Sequence, residues 1–149
     1  MARTTDFLMN IRRIYKLHDL MLKELCGQYE LSLIEANIIS FLHNNPGRDT
    51  AGDIVELRML SKGNVSQAVE SLIQKSYLER IPDRTDRRRI HLRLLSATKE
   101  ITDRIESEQQ QFGEEMLMGF SEAERRLYES MNDRIGENTR NAMKRREAR

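Results

Sequence analysis

The chain has a single cysteine, no tryptophan and only 5% aromatic residues among 149. With Cys26 alone, a disulfide framework and a cysteine metal cluster are excluded, and a reducing cytoplasm is the expected compartment. No run of about 18 apolar residues occurs, which excludes a membrane-spanning helix. The first residues have no signal-peptide core, so a soluble protein not exported by a cleaved signal is expected. Three histidines and one cysteine offer no metal-ligand spacing. There is no glycine loop to cradle phosphate and no nucleophile with a base in a readable motif, so no enzyme activity, metal or cofactor is expected. The formal net charge is only +1, so bulk charge points to no polyanion.

What is present is periodicity and locally concentrated charge. A third of the residues are charged, and the apolar ones recur at helical spacing, which sets the chain apart from a disordered one. Its length suits one domain or two small ones, able to bury about 68–70% of the unfolded surface. No internal repeat, low-complexity tract or long linker interrupts it. Asp6–Tyr29 reads as a helix with a broad stripe of Phe7, Leu8, Ile11, Ile14, Tyr15, Met21, Leu22 and Leu25, and Gly27 is a possible stop. Ser32 and Glu35 form a capping box for a helix to about His43 that is apolar nearly all round, as a central helix should be. Thr50 caps a short third helix, Arg58–Leu60 turns the chain, and Ser61 caps a fourth, Ser61–Ser76. This is a helix-turn-helix pattern.

The fourth helix is two-faced. Val65, Ala68, Val69, Leu72 and Ile73 line one side. The opposite side of its first turns carries Ser61, Lys62, Gly63, Asn64, Ser66 and Gln67, which suit phosphates and base edges. Leu78–Pro82 and the alternating Arg89–Leu94 then read as two strands around an arginine-rich tip. From Glu79 to Arg93, six arginines face three acids, a local surplus of +3, and Arg140, Lys144, Arg145, Arg146 and Arg149 make the tail basic. Local charge decides where a polyanion docks. A helix followed by a basic hairpin is the equipment of a winged DNA-binding domain. Ser96 opens a long helix carrying Ile101, Ile105, Phe112, Met116 and Phe120 on one stripe. A second capping box at Ser121 and Glu124 opens the last helix, with Leu127, Met131, Ile135 and Ala142. These terminal helices expose more apolar face than the small central part can cover, so a second copy of the chain is expected to pack on them.

The segment Leu60-Ser61-Lys62-Gly63-Asn64-Val65-Ser66-Gln67-Ala68-Val69, followed by Leu72-Ile73, Tyr77-Leu78-Glu79-Arg80 and Asp86-Arg87-Arg88, resembles the MarR family of bacterial transcription regulators. The order of elements agrees over nearly the whole chain, and the wing Asp-Arg-Arg is the most specific piece. The resemblance implies a mostly helical (α+β) winged helix-turn-helix, with 31–95 binding DNA and 1–30 and 96–149 forming a helical dimerisation region. It further implies a cytoplasmic homodimer on pseudo-palindromic operator DNA, with the helix Ser61–Ser76 in the major groove and Arg88 in the minor groove, oriented by Asp86. Many family members are released by small aromatic acids or by cysteine oxidation. The chain departs from the family at the wing exit, where Leu95-Ser96 follows Leu94 and Thr98 stands where a glycine is usual.

Gln67, and Asn64 if it points into the groove, can bond adenine in bidentate fashion, while Ser61 and Lys62 suit phosphate. Arg84 and Arg87 are phosphate candidates. An exposed Asp86–Arg88 pair would add only about 0–1 kcal/mol to stability, so an orienting role explains it better. The resemblance places an effector site near Tyr15 and His18, one turn apart on the first helix; a packed tyrosine and a surface histidine would look the same in sequence. Cys26 reads either as a buried inert thiol or as a redox sensor. The expected function is a dimeric DNA-binding regulator, a repressor released by a small molecule. The alternatives are a redox-sensing regulator and a winged-helix adaptor that binds protein without DNA.

Overall fold

The computed structural model describes residues 2–148; Met1 and Arg149, the latter counted above in the basic tail, lie outside the described residues. The helices are α1 (Ala2–Tyr29), α2 (Leu33–Asn44), α3 (Ala51–Arg58), α4 (Lys62–Gln74), α5 (Lys99–Met116) and α6 (Glu122–Glu147). Strands β1 (Leu78–Pro82) and β2 (Ile90–Leu94) form one antiparallel hairpin in the register Leu78↔Leu94 to Pro82↔Ile90. None of these helices is long and apolar enough to cross a membrane. Contacts divide the chain into one unit ending at Phe112 and a second beginning at Gly113.

Three capping boxes start helices where the sequence asks for them. Ser32 and Glu35, Thr50 and Asp53, and Ser121 and Glu124 each exchange side-chain and backbone hydrogen bonds, satisfying two orphan amides apiece. Ser61 caps α4 by accepting from the Asn64 amide at 3.2 Å. Helix ends are less legible. Gly27 stays inside α1, which stops instead at Glu30, in left-handed backbone with φ 53°, while the Leu31 amide bonds the Cys26 carbonyl at 3.0 Å. Ser96 does not open α5. Ser96–Thr98 form a 3-10 turn, the Thr98 hydroxyl donates to the Leu95 carbonyl at 2.7 Å, and α5 begins at Lys99. Thr98, at the position where the family resemblance would put glycine, is buried and satisfied there.

The core of the first unit draws on nearly every element. Leu22 and Leu25 of α1, Ile38 and Ile39 of α2, Ile54 of α3, Val65 and Leu72 of α4, Leu78 of β1, and Ile101 and Ile105 of α5 are all essentially inaccessible. α2 is the central helix its all-round apolar pattern predicts. One charged group sits among them: Glu35, 5% exposed, accepts from Lys75 Nζ through both oxygens at 3.1 and 3.0 Å and from the Ser71 hydroxyl at 3.0 Å. Burial pushes the Glu35 carboxyl up, but the Ser32 amide, Lys75 and Ser71 together outweigh it and hold the group below the usual carboxylate range.

Large apolar side chains are left uncovered at both ends of the sequence. Phe7, Leu8, Ile11 and Tyr15 on α1 are exposed, and so are Leu127, Met131 and Ile135 on α6. α6 contributes no buried residue. A helix with an apolar stripe and nothing buried has no hydrophobic reason to persist alone.

Candidate nucleic-acid interface

Helix α4 is amphipathic across its short axis. Val65, Ala68, Val69 and Leu72 are buried, which turns Ser61, Lys62, Gly63, Asn64, Ser66 and Gln67 outward, all exposed. The Ser61 oxygen is occupied as an acceptor by the cap, so its hydroxyl hydrogen remains available to a phosphate. A Cβ on Gly63 would meet nothing within 4 Å, so the fold itself does not require glycine there. A backbone approached closely from outside would. Glu70, the one acid on this face of α4, is paired with Arg80 Nη2 at 2.9 Å. Its charge is thereby kept from repelling a phosphate.

The wing tip is built around Asp83. Its Oδ2 accepts from the Thr85 amide at 3.0 Å, the Thr85 hydroxyl at 3.0 Å and the Asp86 amide at 2.9 Å. The Asp83 amide bonds the Arg89 carbonyl at 3.0 Å, closing the loop. Asp86 Oδ1 accepts from the main-chain amide of Arg88 at 3.0 Å, and no ion pair joins Asp86 to the Arg88 guanidinium. Asp86 therefore fixes the backbone from which Arg88 projects, where an ion pair with the guanidinium was expected. Of the six wing arginines, Arg80 pairs with Glu70 and Arg93 with Glu79 across the hairpin. Arg84, Arg87, Arg88 and Arg89 are exposed and have no ion-pair partner among the described residues. Arg88 and Arg89 border a cleft of about 560 Å³ whose other wall is Thr50–Asp53 at the start of α3.

A second set of contacts, announced by no local pattern, fastens this wing to the helix-turn-helix. The Leu92 amide bonds the Asp49 carbonyl at 2.8 Å, so the α2–α3 loop runs along the outer edge of β2. His91 lies between two carboxylates: Nδ1 is 2.6 Å from Asp49 Oδ1 and Nε2 is 2.7 Å from Asp83 Oδ1. Hydrogen bonds to Asp49 and then Asp83 raise the His91 pKa above its ordinary value, and His91 in turn holds the Asp83 carboxyl far below the usual range. The one local signal was a histidine on the polar rhythm of a strand. Its partner Asp49 is 42 residues away, beyond the reach of any spacing argument.

The other candidate residues fall in different surroundings. His18 is largely buried and meets the Phe112 ring edge-on at a centroid distance of 5.5 Å, whereas Tyr15 is 56% exposed. Burial, and then the nearby Arg58, lower the His18 pKa against a smaller opposing effect of Asp19. The cavity beside His18, walled by Met21, Leu22, Glu108, Gln109 and Phe112, is about 10 Å³, barely one water. Arg58 lies 5.8 Å over the Phe41 ring and is itself partly desolvated. Cys26 is a buried free thiol, raised in pKa by burial first and by Glu35 second. That is the opposite of what makes a thiol reactive. No group of three or more metal-ligating side chains is found among the described residues.

Residues 29–89 match the MarR family model. Solved structures share the fold along nearly the whole chain. A MarR transcriptional regulator from Methanosarcina mazei is 18% identical, with a TM-score of 0.76, covering 92% of this chain and 99% of its own. A MarR family regulator from Listeria monocytogenes, solved with a 26mer DNA, is 16% identical, with a TM-score of 0.75, covering 88% and 87%. BpsR of Bordetella bronchiseptica, whose DNA binding is regulated by 6-hydroxynicotinic acid, is 18% identical, with a TM-score of 0.66, covering 88% and 98%. Comparison with curated proteins gives no match. The winged-helix segment of this chain thus matches the MarR family model, and the fold that surrounds it is the one seen in solved MarR regulators.

Proposed function

We propose that the chain is a homodimeric, sequence-specific regulator of transcription that binds double-stranded operator DNA, acts as a repressor and is released by a small ligand. The observation that carries this reading is the pairing of an exposed polar helix start with a wing tip of four unpartnered arginines, both fixed to one core. The Listeria relative solved with DNA supports it. In this reading, residues 31–95 meet the duplex, while 1–30 and 96–149 join two copies. The uncovered Phe7, Leu8 and Ile11, with Leu127, Met131 and Ile135, supply the apolar area a dimer would bury. Two recognition helices must then lie roughly 34–36 Å apart to fill successive major grooves.

A ligand acts by favouring one spacing of the two lobes over another, and only to the extent of its differential affinity. Tyr15, His18 and Arg58 are the ring and cationic groups that an aromatic carboxylate would meet, and the ligand-regulated Bordetella relative supports an effector of that kind. The small cavity beside His18 has to open to admit it. Raised in pKa and buried, Cys26 gives the redox alternative no support.

The reading is tested by selecting bound duplexes from a random pool with the purified protein. A palindrome with half-sites one turn apart is expected. A monomeric protein, or one indifferent to duplex at low salt, overturns the proposal. On the selected operator, Gln67→Ala should lose about 1–3 kcal/mol of discrimination at one base position per half-site and leave the other positions unchanged. Binding measured against single-base operator variants reads this directly.

A further inference from the structure

The histidine in the wing makes a demand on its own protonation. An ionised carboxylate can only accept a hydrogen bond, and a neutral imidazole has just one N–H to give. Both ring nitrogens of His91 face carboxylate oxygens, at 2.6 and 2.7 Å. A neutral ring would set a lone pair against one of them, whereas an imidazolium satisfies both. The two acids belong to different parts of the site. Asp49 immediately precedes Thr50, the cap of α3, while Asp83 organises the loop that displays Arg84, Arg87 and Arg88.

We propose that His91 is a positioning residue of the wing: as an imidazolium it bridges Asp49 to Asp83 and holds the arginine tip in register with the helix-turn-helix, and on losing its proton it loosens that hold. This rests on the DNA-binding reading above and adds a pH-dependent control to it.

The surrounding charges leave the bridge to these three groups. From the α2–α3 loop and α3, Arg48 and Asp53 lie 3.8 Å apart, and Arg89 acts on Asp53. On β1, Glu79 is paired with Arg93 and Arg80 with Glu70. On α2, Glu35 is held by Lys75 and His43 by Glu106. A group whose folded pKa is raised stabilises the structure fully below its unfolded value, about 6.5 for histidine, and that contribution fades as pH rises through the folded value. The grip on the wing is therefore strongest in mild acid and weakens in the alkaline direction.

The test uses the full-length protein, its selected operator and ¹⁵N-histidine NMR. The signal that disappears in His91→Gln identifies His91. In the free wild-type protein this ring should titrate above the ordinary histidine range, with both nitrogens protonated at its lower end, and Asp49→Asn should move the midpoint down. Operator affinity of the wild type should fall several-fold between pH 6.5 and a pH above that midpoint, while His91→Gln, with an unchanged far-ultraviolet spectrum, should show a flat profile. A His91 that titrates normally, or equal pH profiles for the two proteins, overturns the inference while leaving DNA binding intact. Loss of all duplex binding by the wild type at every pH instead overturns the proposed function, and the NMR titration still decides whether the bridge exists.

Discussion

Arg88→Ala is expected to weaken operator binding at least about 30-fold, with dimer and fold unchanged. An arginine contact to a base is worth about 1–3 kcal/mol, and a symmetric dimer presents two, so the loss is about 2–6 kcal/mol. The structure explains why the fold should be indifferent. The Arg88 side chain is exposed and forms no ion pair, and what Asp86 grips is the Arg88 amide, which alanine retains. The same variant should reduce the steepness of the salt dependence by no more than about 2 units of log–log slope, since each neutralised phosphate contributes about 0.9. If Arg88 reads a narrow minor groove, its loss should also flatten preference for the sequence under the wing. Titration of a labelled operator at several salt concentrations, with sedimentation to follow the dimer, checks all three. Unchanged affinity at moderate salt would remove Arg88 from the interface. Arg93→Ala is the natural control, because Arg93 is already committed to Glu79.

Lys75→Met should have the largest effect on stability, about 3 kcal/mol. Breaking a buried ion pair from one side strands the other charge, at a cost of about 3–5 kcal/mol, and Lys75 is 35% exposed, which favours the lower end. Glu35 is left with Ser32 and Ser71 as partners but without a cation, its side chain 6% exposed. The pH dependence has a definite sign. In the wild type the Glu35 carboxyl is held below its unfolded value, so its contribution is complete above about pH 4.5 and is lost as pH falls through the folded value. In the variant a protonated Glu35 is the cheaper buried form. The gap between the two proteins should therefore be widest near neutrality and narrow toward pH 4. Thermal or urea unfolding at the two pH values reads this, and Glu35→Gln combined with Lys75→Met should recover most of the loss. An equal deficit at both pH values would mean that the pair is not what holds this corner of the core. The pair matters to the candidate site because Lys75 caps the end of α4, and its Nζ also bonds the Glu30 carbonyl at 2.8 Å, tying α4 to the end of α1.

The sequence by itself determined where four of the six helices begin, α2, α3, α4 and α6, and which face of α4 is buried, because caps and apolar periods are contacts between residues three or four apart. Ser32, Thr50, Ser61 and Ser121 each cap the helix they announce, and Val65, Ala68, Val69 and Leu72 are buried as their spacing requires. The exposed set from Ser61 to Gln67 follows from that burial without further information. Helix ends and the wing exit were harder to read: Gly27 was free to stay helical, and Glu30 took a left-handed conformation that only its neighbours' packing could impose. Only the tertiary structure decided which charges remain free. Arg80 and Arg93 are consumed by Glu70 and Glu79, and His91 reaches Asp49 over 42 residues. Charge pairing depends on distances of a few ångströms between strands and loops that the chain brings together late, and no local period encodes them. It is through those pairings that a basic stretch becomes four arginines aimed outward from an anchored loop.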